Sequence, residues 1–173
     1  MRALVVYESI FGNTATIAEA VAAGLSARAE VSLVEVGQAP DRLEEGLELL
    51  VVGGPTHAFG LSRPETRSDA AQEADGEIIS RGDGLREWLE RLPAGSTGTV
   101  AAAFDTHVDK HVPGAASKAA AKRLRRLGFR LVVRPESFLV SGKQGPLLSG
   151  EQERARRWGE QLVARLEPTA GAV

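Results

Sequence analysis

Six consecutive residues, Ser9-Ile10-Phe11-Gly12-Asn13-Thr14, carry the densest potential chemistry in the sequence. Two hydroxyls, an amide and a glycine stand between an apolar run, 3–7, and a helical pattern that begins near Ala15. A strand turning into a helix leaves backbone N–H groups unpaired at the helix start, where the macrodipole favours an anion. The loop holds no Lys or Arg. A phosphate there would be held by hydrogen bonds and dipoles, which suits an anchor that takes no part in the reaction. A second cluster, Pro55-Thr56-His57-Ala58-Phe59-Gly60, follows an apolar run over 47–52 that Gly53 and Gly54 bring to an end. A third, Phe104-Asp105-Thr106-His107, closes the alanine-rich run over 99–105. With Phe11, Phe59, Phe104, His57 and His107 as lining, the three clusters describe a site for a flat aromatic ligand with a phosphate tail.

Competing chemistries are poorly served. There is no G-x-x-x-x-G-K-[ST] and no G-x-G-x-x-G after the first apolar run, so a monophosphate fits better than a triphosphate or a dinucleotide. The absence of cysteine excludes disulfides and thiolate metal sites. His107, Asp109 and His111 alternate as metal ligands sometimes do, but no further cluster joins them, and the stretch reads as a solvated loop. His57 reads as a hydrogen-bonding wall residue before a general base. The cations from Lys118 to Arg126 read as an exposed helix face, without the interleaved aromatics that RNA binding asks for. Arg63 and Arg67 read as surface ion-pairing residues.

The elements that must position these clusters are legible in outline. Ile17, Val21 and Leu25 recur every four residues, as do the apolar positions around Trp88, so both segments predict helices. Val31 to Val36 predicts a short strand, and the near-continuous apolar run at 47–52 predicts a strand buried on both faces. Residues 56–81 show no clean period. A helix over about 114–127 ends at Gly128, a fifth strand begins at Phe129, is interrupted by Pro135 and resumes at Phe138, and a closing helix spans 151–166. Trp88 and Trp158 read as core. Five strands alternating with helices predict a doubly wound α/β parallel sheet, a three-layer sandwich. In such a sheet ligands bind at the carboxyl ends of the strands, where the three clusters lie.

With 173 residues, 43% hydrophobic and 25% charged, the chain fits one domain, expected over 1–167, with a flexible tail at 168–173. A formal net charge of −2 gives no reason to expect nucleic acid. No apolar run approaches the roughly 20 residues of a membrane span, and no signal peptide precedes the first strand, so a cytoplasmic location is expected.

The stretch Tyr7-Glu8-Ser9-Ile10-Phe11-Gly12-Asn13-Thr14 resembles the phosphate loop of flavodoxins, written S/T-x-T/F/Y-G-N-T. Gly53-Gly54-Pro55-Thr56-His57 with Phe59-Gly60 resembles their second flavin loop, and also the G-x-P-T-x-F-G stretch of flavodoxin-like quinone reductases. The resemblance implies a flavodoxin-like sheet of order 2-1-3-4-5, a topology for which flavodoxin is itself the standard example, and FMN as cofactor. It implies that Ser9, Asn13 and Thr14 bind the phosphate through side chains, with Ile10, Phe11 and Gly12 beside them in the loop. Pro55, Thr56, His57, Ala58, Phe59 and Gly60 would border the flavin ring, with Phe104, Asp105, Thr106 and His107 from the third cluster. The loops lack the Trp or Tyr on which flavodoxins usually stack the ring, which leaves Phe59 or His57 for that role. The fifth strand lacks a long insertion, as in short-chain members. The expected function is electron transfer between a reductase and an acceptor, by a monomer or weak homo-oligomer. One alternative is an NAD(P)H-dependent quinone or flavin reductase. Another, of a different class, is a binding or regulatory module with weak or lost FMN binding.

Overall fold

The computed structural model describes residues 1–95, 98–110 and 113–166. His111 and the expected tail at 168–173 lie outside them. Strands β1 (Arg2–Tyr7), β2 (Glu30–Glu35), β3 (Leu49–Pro55) and β4 (Val100–Val108) pair in parallel in the order 2-1-3-4. The fifth position is filled by two pieces, β5 (Arg130–Leu131) and β6 (Glu136–Val140), both parallel to β4. β4 advances from Ala101 to Phe104 while its partner advances from Leu131 to Glu136, so the outer strand carries two extra residues around Pro135, which has no N–H for the ladder.

Alternation along the strands explains the unbroken apolar runs. Val5, Val51 and Ala102 face one side of the sheet, where helices α1 (Asn13–Leu25) and α5 (Glu151–Leu166) pack. Val6, Val52 and Ala103 face the other, under α3 (Leu85–Arg91) and α4 (Ala116–Arg126). With both faces covered, neither set of side chains needs to be polar. α1 and α5 meet backbone to backbone: a Cβ on Gly24 would lie 2.0 Å from the Arg156 carbonyl oxygen. Trp88 is fully buried, and its indole N–H donates to the Pro40 carbonyl at 3.0 Å. Trp158 is buried with Phe104 and Phe138 in a triad of edge-to-face rings, centroids 6.0–6.1 Å apart. Among the described residues no helix is long and apolar enough to cross a membrane.

Two elements depart from the expectation. Within 56–81 a helix forms, α2 (Pro64–Glu73), in which Arg67 is the one buried residue. It has no apolar face to give a period. Pro64 opens it, and the Thr66 hydroxyl accepts from the Arg63 N–H at 2.9 Å. Arg67 is not a surface residue. Its guanidinium donates to the Ser62 hydroxyl at 2.9 Å and to Glu87 at 3.0 Å, tying α2 to α3. β4, in turn, runs further than its apolar residues indicate, so Thr106 and His107 are strand residues rather than loop residues.

Candidate functional site

The turn from β1 into α1 is built around Ser9, which is fully buried. Its hydroxyl accepts from the Gly12 and Ala15 N–H groups, each at 3.2 Å, and so folds the loop back on itself. Its main chain is clamped by Ser80, whose N–H donates to the Ser9 carbonyl at 2.7 Å and whose hydroxyl accepts from the Ser9 N–H at 2.9 Å. Gly12 takes φ +100° at the helix N-cap, a conformation that a side chain would strain. As a result, the N–H groups of Phe11, Asn13 and Thr14 donate to no protein acceptor among the described residues.

Above this loop is a cavity of about 300 Å³, at the lower end of the roughly 300–1,000 Å³ usual for small-molecule pockets. From the phosphate-like loop it is lined by Ser9, Ile10, Phe11, Asn13 and Thr14. Pro55, Thr56, His57 and Ala58 form a second wall, and Thr106, His107 and Val108 a third. The three sequence clusters therefore converge, as the rule for carboxyl-terminal strand ends requires.

Not every expected residue reaches the cavity. Phe104 points the other way: it belongs to the buried ring triad, and Gly53 makes room for it, since a Cβ there would lie 2.0 Å from its ring. Asp105 is fully buried, and one of its oxygens accepts from the Ser117 N–H at 2.9 Å, at the head of α4. Gly12, Phe59 and Gly60 are not among the lining residues, and Phe59 stands 58% exposed. Thr56 lines the cavity and also serves α4, its hydroxyl accepting from the Ala116 N–H at 2.9 Å.

Other lining residues lie outside the three sequence clusters. Thr66, Asp69, Ala70 and Glu73 come from α2, whose existence the sequence hides. Lys143 follows β6 and pairs with Glu73 at 3.1 Å, while the Gln144 amide donates to the Glu73 carbonyl at 2.7 Å. The strand-end rule applied to the fifth strand would have found Lys143. Together these contacts close the rim between α2 and the loop after β6.

Electrostatics differ around the walls. Burial, with Arg67 and Lys143 nearby, holds His57 below its ordinary pKa, so it is neutral at pH 7; its Nδ1 lies 3.2 Å from the Thr66 hydroxyl. The Asp105 carboxylate, 3.1 Å from His107 Nδ1, raises His107. Behind the loop, burial pushes the Glu8 carboxyl up although Ser62 and the Leu85 N–H both donate to it. Among the described residues no three His, Asp or Glu side chains come together as a metal site.

The residues present suit a phosphate-bearing flat ligand at one end more fully than at the other. N–H groups suited to an anion gather at the head of α1, whereas the far walls are hydroxyls, aliphatic groups and two imidazoles, with Asp69, Glu73 and Lys143 at the α2 rim. Comparisons agree with this outline. The family model for flavodoxin matches residues 5–158. No curated protein matches the chain in sequence. Among solved structures, a flavodoxin from the domain Archaea is 20% identical with a TM-score of 0.64, covering 96% of this chain and 99% of that one. A Streptococcus pneumoniae TIGR4 flavodoxin is 18% identical with a TM-score of 0.68, over 95% and 99%. A short-chain flavodoxin associated with a PDU bacterial microcompartment is 17% identical with a TM-score of 0.65, over 96% and 99%. At these identities the structures speak for the fold, and it is the family match along nearly the whole sequence that settles descent: the chain belongs to the flavodoxin family, whose proteins bind FMN.

Proposed function

We propose that the protein is an FMN-dependent electron carrier, acting between a reductase and an acceptor through a single domain over 1–167. The observation that supports this reading is the group of unpaired N–H donors of Phe11, Asn13 and Thr14 at the mouth of a cavity walled by two further strand-end segments. Bound FMN supplies the reversible uptake and release of electrons. The chain's own part is binding and tuning. The Phe11, Asn13 and Thr14 N–H groups, the Ser9 and Thr14 hydroxyls and the Asn13 side-chain amide are assigned to the phosphate, which needs no cation because backbone dipoles oppose its charge. Pro55 to Ala58 and Thr106 to Val108 are assigned to the ring. Neutral His57 and the more basic His107 offer that end one imidazole of each kind.

A second reading, an NAD(P)H-dependent quinone or flavin reductase, draws support from α2, which adds Thr66, Asp69, Ala70 and Glu73 to the cavity as a substrate wall would. Consumption of NADPH with a quinone, in the absence of any reductase, separates the two.

FMN titration with potentiometry, on the intact protein and on Thr14→Ala and Asn13→Ala, tests the assignment. Loss of either phosphate-end side chain is expected to weaken binding about tenfold, or ~1.4 kcal/mol. If neither substitution changes the affinity, the phosphate assignment is wrong. If the intact protein takes up no flavin, a binding or regulatory module replaces both readings.

A further inference from the structure

The cavity's neighbour on the β4 side is strongly basic. α4 contains no acidic residue, and Lys118, Lys122, Arg125 and Arg126 stand exposed along it. Between residues 100 and 143 the acidic residues are Asp105, Asp109 and Glu136. Asp105 is buried beneath His107 and the head of α4, and Glu136 is paired with Arg154 at 2.7 Å, which leaves Asp109, the residue after β4, as the exposed acid, close enough to act on His107. From α3, Glu90 pairs with Arg123 at 3.0 Å. The field outside α4 is therefore set by its lysines and arginines.

That field reaches the cavity. Lys110, Lys118 and His107 share an open cleft of about 450 Å³ with Pro113, Gly114, Ala115 and Ser137. His107 lines both this cleft and the cavity described above. Beside the cleft, the Phe59 carbonyl packs so closely on Gly114 that a Cβ there would lie 2.2 Å away, while the Phe59 ring itself stands 58% exposed. An exposed aromatic beside a cleft that holds Lys110 and Lys118 has the makeup of a protein interface, an apolar anchor with a charged rim.

We propose that this face, Phe59 with Lys110, Lys118 and Lys122, docks an acidic protein that exchanges electrons with the bound cofactor. The inference rests on the electron-carrier reading and names the charge of the partner. The formal net charge of the whole chain is −2, which by itself would repel such a partner. Association follows the local field within about a Debye length, ~8–10 Å, so the basic face governs the encounter.

Two forms of one electron acceptor test it: native ferricytochrome c, which is basic, and the same protein succinylated on its lysines, which is acidic. In each encounter one electron passes from the reduced flavin of the holoprotein to the ferric haem iron, and any flavin proton leaves to solvent. FMN uptake is first checked by quenching of flavin fluorescence. A protein that takes up no FMN overturns the electron-carrier reading and this inference with it. With FMN bound, the rate with the succinylated acceptor is expected to fall about tenfold as salt rises from ~20 to ~300 mM, and the rate with the native acceptor is expected not to fall. The Lys118→Glu, Lys122→Glu double variant is expected to abolish the fall while leaving fluorescence quenching unchanged. A falling rate with the native acceptor alone, or a double variant with the intact protein's salt dependence, overturns the inference while the electron-carrier reading stands. A concentration-dependent dimer that the double variant abolishes also overturns it, assigning the face to a second copy of the chain.

Discussion

The Thr14 hydroxyl lies 2.7 Å from the Thr106 hydroxyl, a bond that joins the first turn of α1 to the end of β4 across 92 positions of sequence. Both side chains are buried and both line the cavity. Two hydroxyls bring two protons, of which one closes this bond and the other remains for a second acceptor. The pair therefore does two things at once. It fixes the spacing between the loop assigned to the phosphate and the wall assigned to the ring, and it keeps a donor in reserve where those two walls meet.

Substitution of either partner by the isosteric Val is expected to leave the other hydroxyl buried without a partner, at a cost of about 1–3 kcal/mol. Replacing both removes the orphan as well as the bond, so the double variant Thr14→Val, Thr106→Val should cost less than the sum of the single variants. Urea denaturation of the apoprotein and of the three variants closes the cycle. Strict additivity would show that the two hydroxyls do not act together.

His107 provides a pH-dependent counterpart. Its pKa is raised above 6.5 chiefly by the hydrogen bond to Asp105. A raised folded-state value means that the contribution to stability is complete below pH 6.5 and is lost as pH rises through the folded value. The intact protein should therefore lose stability, relative to His107→Gln, which has no such proton to lose, as pH rises from 6.5 through the folded value. Because the pair is part-exposed, solvent screening keeps the effect to a few tenths of a kcal/mol up to about 1. The more sensitive readout is the imidazole titration by NMR, which Asp105→Asn should move back towards 6.5.

What the sequence made legible, and what it hid, divides along physical lines. The apolar runs of β1, β3 and β4 are visible because both faces of the sheet are covered, α5 because it buries one stripe, and α1 because Ile17, Val21 and Leu25 recur at helical spacing within a largely buried helix. Ser9 to Thr14 stands out because its backbone geometry demands particular residue types, above all glycine at φ +100°. α2 is hidden because polar contacts hold it, Arg67 to Ser62 and Glu87 and Glu73 to Lys143, and ion pairs have no period. Phe104 and Asp105 adjoin the ring loops in sequence, yet Gly53 and the head of α4 claim their side chains. Along a strand, facing alternates residue by residue, so being next to a site in sequence does not mean pointing into it.

The turn that presents Phe59 is strained in a way that sequence alone does not reveal. Ala58 and Phe59 adopt φ 44° and 72°, and the turn is closed by His57 N–H to the Gly60 carbonyl at 2.9 Å and Gly60 N–H to the His57 carbonyl at 3.1 Å. Two consecutive positive φ values make a two-residue turn of the kind that normally takes Asn-Gly, and each non-glycine residue there costs roughly 1–2 kcal/mol. Ala58→Asn with Phe59→Gly should therefore stabilise the apoprotein by about 1 kcal/mol, after the extra freedom of glycine in the unfolded chain offsets part of the gain. Gly60→Ala is the control. Gly60 has no positive φ and open space where a Cβ would stand, so its effect should stay within about 0.5 kcal/mol. Urea midpoints decide the stability half. For the functional half, Phe59→Gly alone, which leaves the cavity lining as it is, should bind FMN yet transfer electrons more slowly to succinylated cytochrome c, because the strain is what the chain accepts to hold an aromatic ring out beside the basic face. A stabilised variant with an unchanged transfer rate would separate the strain from docking.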